Sequence, residues 1–253
     1  MTPRGLSETD RSENMKQSRS LLVVGAHAAD FVWRAAGVIA VVTANGGKAS
    51  VVALTYGERG ESGELWKEPN QTVENVKRIR HQEATRAAEI LGATFQCFDL
   101  GDYPLQIDAG VLERLAMLMR ELAPDVVITH TERDPFNPDH PLAYAVVQRA
   151  SILASGSGVA SGFPTIKPPE LFLFEPHQPE HCGFVPNTFV DISAVFPLKL
   201  QAMQAMGSQS YLHQYQTDIA KYRANHARRI SGRKDIQYAE AFQRVTPQVV
   251  DTL

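Results

Sequence analysis

A histidine and an aspartate three positions apart, in Ala26-His27-Ala28-Ala29-Asp30, have only small residues between them. The imidazole and the carboxylate can both turn toward one hard-to-borderline cation, as zinc requires. The same pair can do no more than cap the start of a helix, and a third ligand has to decide between the two. A second stretch able to do chemistry is Gly57-Glu58-Arg59-Gly60-Glu61-Ser62-Gly63-Glu64, rich in glycine and acid. From it, Glu58 or Glu61 can reach the site of His27, or each can be an ordinary solvated loop charge. Two further polar clusters follow: Glu132, Arg133, Asp134, Asn137, Asp139 and His140, then Pro176 to His181 around His177.

The elements that must position these groups follow from hydropathy. Leu21-Leu22-Val23-Val24 before small residues predicts a buried parallel strand, and ligands in open α/β sheets gather at the carboxyl ends of such strands. A helix is expected from Phe31 to Ala44, stopped at Asn45-Gly46-Gly47, with a second strand from Ala49 to Tyr56. The pattern repeats with a helix from Glu74 to Leu91, a strand from Phe95 to Leu100, a helix from Val111 to Leu122 and a strand from Asp125 to His130. Beyond them, a helix runs from His140 to about Ala154, short strands span 171–175 and 189–192, and a helix covers 196–206. The tail from Tyr211 to Arg233 has helical spacing and a run of cations, which serves as a solvated face unless it contacts carboxylates or another subunit. The expected fold class is therefore α/β, a Rossmann-like, doubly wound and mainly parallel sheet with a helical C-terminal extension. Residues 1–18 lack the apolar core of a signal peptide and read as a disordered leader; residues 19–253 read as one catalytic domain.

Composition excludes several classes. A net charge of -3 over 253 residues offers no basic field for nucleic acid. No stretch is long and apolar enough to span a membrane. Two cysteines, Cys97 and Cys182, are too few for a disulfide framework, which fits a reducing cytoplasm. His130 and His181 have the features of ordinary satisfied or exposed histidines, and Trp33 and Trp66 those of packing groups or pocket walls.

Ala26 to Asp30 together with Asn137-Pro138-Asp139-His140 resembles the signature pair of the LmbE-like, or PIG-L, family of zinc-dependent N-deacetylases. The likeness extends through Gly57-Glu58, Arg80 to Glu83, Leu91-Gly92, Asp99 to Asp102 and the Ser208-Gln209 region. It implies Zn2+ on His27, Asp30 and His140 with a fourth position open, although such a ligand set accepts other divalent ions. Two departures stand out. The aspartate that serves the family as general base is Ala29 here, and the first histidine of the second motif is Asn137. Alanine accepts no proton, so a retained metal set without its base implies different chemistry.

Four strings, from Ala26 to Arg34, Tyr56 to Ser62, Phe98 to Leu105 and Phe174 to Glu180, resemble the 4-oxalomesaconate hydratase branch of this fold. That resemblance implies hydration of an unsaturated oxo-tricarboxylic acid in bacterial gallate or protocatechuate 4,5-cleavage. The proton donor is then Glu61 or Glu58, a choice the sequence leaves open with a slight preference for Glu61, and His177 is the first candidate to meet the enolate. Arg34, Arg59, Arg80, Arg223 and Asn137 are candidate substrate contacts, and a homo-oligomer is expected. The alternatives are an N-deacetylase that recruits Asp139 or Glu58 as base, and a silent metal-binding relative.

Overall fold

The computed structural model describes residues 19–250; the expected leader lies outside the described residues. Seven strands form one sheet in the order β3-β2-β1-β4-β5-β7-β6. They are β1 (Ser20–Gly25), β2 (Lys48–Ala53), β3 (Thr94–Cys97), β4 (Val126–Thr129), β5 (Glu170–Phe174), β6 (Thr188–Asp191) and β7 (Ala239–Arg244). The helices are α1 (Asp30–Ala44), α2 (Val73–Ile90), α3 (Ala109–Leu122), α4 (Asp139–Ser155), α5 (Phe196–Gln204) and α6 (His213–Ser231). β1 through β5 pair in parallel, with Val23 beside both Val51 and Ile128.

Alternation along β1 explains the two covered faces. Leu21 and Val23 pack with Ala36 and Ile39 of α1, Ala87 of α2 and Met203 of α5. Leu22 and Val24 pack on the other side with Leu115 and Met119 of α3 and Val147 of α4. The chain winds outward from β1 to β3, then crosses to β4 on the other side of β1. β1 and β4 therefore flank the switch point where a doubly wound sheet leaves a crevice at its carboxyl ends.

The C-terminal region departs from expectation. The extension is helical only as far as α6, and β7 then returns antiparallel between β5 and β6. Glu240 hides this strand from a hydropathy reading, since it places a charge inside a buried run. It accepts the α1 backbone N–H groups of Gly37 and Val38, at 2.8 Å each, and pairs with Lys199 of α5 at 2.6 Å. Lys199 Nζ also donates to the carbonyl of Trp33, so this buried pair ties α1, α5 and β7 together.

Candidate active site

β1 ends at Gly25, where an added Cβ would come within 2.9 Å of the Asp30 Cβ. That close approach lets the chain double back, and Asp30 Oδ2 accepts the His27 backbone N–H at 2.8 Å. His27, Asp30 and His140 are buried, and one ligand-type atom from each lies within 4.8 Å of the others.

The imidazoles decide between capping and metal binding. His27 Nε2 lies 3.2 Å from Asp139 Oδ2, and His140 Nδ1 lies 2.7 Å from Asp134 Oδ2. The opposite nitrogens, His27 Nδ1 and His140 Nε2, have no hydrogen-bond partner among the described residues. They stand 3.6 Å and 3.9 Å from the Asp30 carboxylate. A carboxylate behind each ring, with the free nitrogen turned to a shared point, is the arrangement that orients histidines on a cation. The donor set fits a divalent metal and leaves no reason for a capping role.

His130 proves to be satisfied, but by the cluster itself. Its Nε2 lies 2.9 Å from Asp30 Oδ2, and its ring stacks on His140 at 3.9 Å between centroids. Burial opposes charge on Asp30, yet His130, His27 and His140 outweigh it and hold the carboxyl well below its ordinary range. Burial also works against a proton on His27, but Asp139, Asp30 and Glu61 raise its pKa to about 9. His140 goes the other way, lowered by burial and by neighbouring His130.

The loop after β2 separates its two glutamates. Gly57 has a φ of +68°, and a Cβ there would meet the Glu61 Cβ at 2.9 Å. Glu61 packs into that space with Oε1 4.0 Å from His27 Nδ1, accepting Asn137 Nδ2–H at 2.8 Å. Asn137 is thereby brought to the site as a partner of Glu61. Glu58 is not brought there: it turns the other way, fully buried beside Arg59, Lys77 and Asp102, and burial raises its pKa.

The cationic candidates also divide. Arg34 is buried, its Nε lies 3.5 Å from Asp30 Oδ1, and it lines a cavity of about 290 Å³ with Trp33, His177, Lys199, Tyr215 and Arg223. His177 is exposed on this cavity, and the Arg34 charge, with burial of part of the ring, holds its pKa down at about 3. Arg223 lines the cavity, but its guanidinium fork is committed to Glu175. Arg59 lies at a separate surface bowl with Lys77 and Asp99. Arg80 is fully buried, and its Nε, Nη1 and Nη2 donate to Tyr56, Glu83, Ser208 and Gln209, which commits it to the scaffold. Asp134, Asp139 and Gln209 complete the site; the sequence places Asp134 and Asp139 in the polar cluster that ends at His140, and Gln209 in the Ser208-Gln209 part of the family likeness, without showing which groups they face.

Residues 22–151 match the PIG-L family, described as GlcNAc-PI de-N-acetylase. The chain belongs to the PIG-L family. It is 44% identical over 248 residues to a 4-oxalmesaconate hydratase of Pseudomonas putida, covering 97% of this chain and 96% of that protein. The crystal structure of GalB, the 4-carboxy-2-hydroxymuconate hydratase of Pseudomonas putida KT2440, superposes with a TM-score of 0.91 at 45% identity, covering 93% of this chain and 99% of that one. A diacetylchitobiose deacetylase of Thermococcus kodakarensis is 27% identical over 78% of this chain and 73% of its own length. PIG-L proteins are typically metal-dependent, in keeping with the His-Asp-His cluster. Among the described residues, no helix is long and apolar enough to cross a membrane.

Proposed function

We propose that this PIG-L chain is a zinc-dependent hydratase that adds water to the carbon-carbon double bond of 4-oxalomesaconate. The product is 4-carboxy-4-hydroxy-2-oxoadipate, in bacterial gallate or protocatechuate 4,5-cleavage catabolism. The observation that carries this reading is Ala29. Beside an intact His-Asp-His set, the position of the family's base is an alanine packed in the apolar core. The near full-length likeness to a hydratase supports the same reading. Asp139 does not replace the missing base, because it is occupied by His27 and by the backbone N–H of Leu105.

A divalent ion on His27, Asp30 and His140 would supply positive charge that polarises a substrate oxygen. The remaining work falls to side chains. Conjugate addition moves charge onto the oxo oxygen as an enolate and leaves the adjacent carbon in need of a proton. Glu61, beside the cluster, takes the proton that the adding water gives up and delivers it to that carbon. His177, neutral at physiological pH, donates an N–H toward the developing oxyanion, as a depressed histidine pKa allows. Arg34 clamps a substrate carboxylate, since its Nε has no hydrogen-bond partner among the described residues. A cytoplasmic setting and a homo-oligomeric state belong to the same proposal.

The test is loss of the conjugated ultraviolet chromophore of 4-oxalomesaconate with metal-loaded, metal-stripped and Glu61→Gln protein. Metal-dependent loss is expected, with kcat falling about a hundred- to ten-thousand-fold in the variant. An unchanged chromophore with metal bound, or acetate release from N-acetylated amino sugars, overturns the reading.

A further inference from the structure

Glu61 lies on a loop with its side chain 30% exposed, so something must hold its carboxylate still. Asn137 does so on one side. On the other stands Gln209, buried in the 3-10 segment Gly207–Leu212. Its Nε2 donates to the Glu61 carbonyl at 3.0 Å and lies 3.4 Å from Glu61 Oε2.

The direction of that amide is forced. Gln209 Oε1 accepts from Trp33 Nε1 at 3.1 Å and from Arg80 Nη2 at 3.2 Å. Indole and guanidinium are donors only, so a flipped amide would set NH2 against two N–H groups. Arg80 is itself locked, donating to Ser208 Oγ at 2.7 Å and Glu83 Oε2 at 3.2 Å. Glu83 Oε1 in turn accepts the Ser208 backbone N–H at 2.7 Å. A chain of satisfied polar groups thus runs from α2, through the segment before α6, to the loop after β2.

We infer that Gln209 is a positioning residue for Glu61, its amide aimed by Trp33 and Arg80. The inference rests on the proton-transfer role given to Glu61 above. Misplacement of a reacting group by about 1 Å costs on the order of a hundredfold in rate, and a half-buried glutamate on a loop is free to move that far once released.

Gln209→Met keeps length and removes the amide. Gln209→Glu keeps an acceptor for Trp33 and Arg80 but turns an oxygen toward Glu61. Trp33→Phe leaves Gln209 in place and removes one of the two donors that aim it. With metal content and thermal midpoint measured alongside, kcat should fall about ten- to a hundredfold in both Gln209 variants, with KM within about threefold of wild type. Trp33→Phe should give a smaller fall in kcat. A crystal structure of Gln209→Met should show the Glu61 carboxylate displaced by about 1 Å or more.

Folded, metal-loaded Gln209→Met with wild-type kcat, or with Glu61 unmoved, overturns the inference. So does a loss expressed wholly in KM. Should both Gln209 variants fail to fold, wild-type kcat in Trp33→Phe overturns it. A wild type that leaves 4-oxalomesaconate untouched strikes the hydratase reading alone, because the position of Glu61 in the crystal still decides the role of Gln209.

Discussion

Replacing Asp139 by asparagine should change metal affinity in a pH-dependent way that separates two effects. Asp139 Oδ2 faces His27 Nε2 at 3.2 Å, and Oδ1 accepts the Leu105 backbone N–H at 3.2 Å. In the metal-free protein this carboxylate helps raise the His27 pKa to about 9, against the opposing effect of burial. An ion can bind only after that proton leaves. At pH 7, below that pKa, removal of the proton lowers the apparent affinity by roughly a hundredfold. Wild-type affinity should therefore rise about tenfold per pH unit between about 7 and 9, then level off.

In Asp139→Asn the proton is held less tightly, so the curve should flatten from a lower pH. Orientation is also lost. An asparagine NH2 facing Nε2 favours the tautomer with its proton on Nδ1, the nitrogen that the ion needs. Supporting carboxylates of this kind are worth about ten- to a hundredfold in metal affinity. The two effects oppose each other near pH 7 and largely cancel; near pH 9.5 only the orientation loss remains, at about ten- to a hundredfold. Competition against a chelator of known pH dependence, across this range, measures both. A wild-type affinity that is flat between about pH 7 and 9 would refute the raised His27 pKa. Equal affinities of the two proteins near pH 9.5 would refute the orienting role.

Two further outcomes concern the scaffold. Lys199→Met leaves Glu240 buried beside α1 with only its two backbone donors, and should cost about 3 kcal/mol in urea unfolding; less than about 1 kcal/mol would show that the Gly37 and Val38 N–H groups suffice alone. Gly57→Ala forces a side chain into positive φ and against Glu61, so stability should drop by about 1–2 kcal/mol and kcat by more than the loss of folded protein explains; wild-type turnover per folded molecule would contradict the packing of Glu61 on Gly57.

Local pattern was enough for the frame and part of the site. Apolar runs set off by helical periods specify a doubly wound sheet, and β1 delivers His27 and Asp30 three residues apart at its exit, so their meeting follows from chain geometry alone. His140 came from the family likeness, and Ala29 could be seen as a missing base by the same comparison. What lay beyond reach depended on partners distant in the chain. Glu58 and Glu61 share one acidic loop, and nothing periodic says which way each turns; Gly57, Asn137 and Gln209 decide it. Arg80 belongs to a charged amphipathic helix, yet Ser208 and Gln209 fold over it and turn a candidate clamp into a buried tether. Glu240 makes β7 look unlike a strand until Lys199 and the α1 backbone are set beside it. Hydropathy acts through nearest neighbours on a regular element, whereas the direction of a polar side chain is set by whichever donor or acceptor the tertiary fold places opposite it.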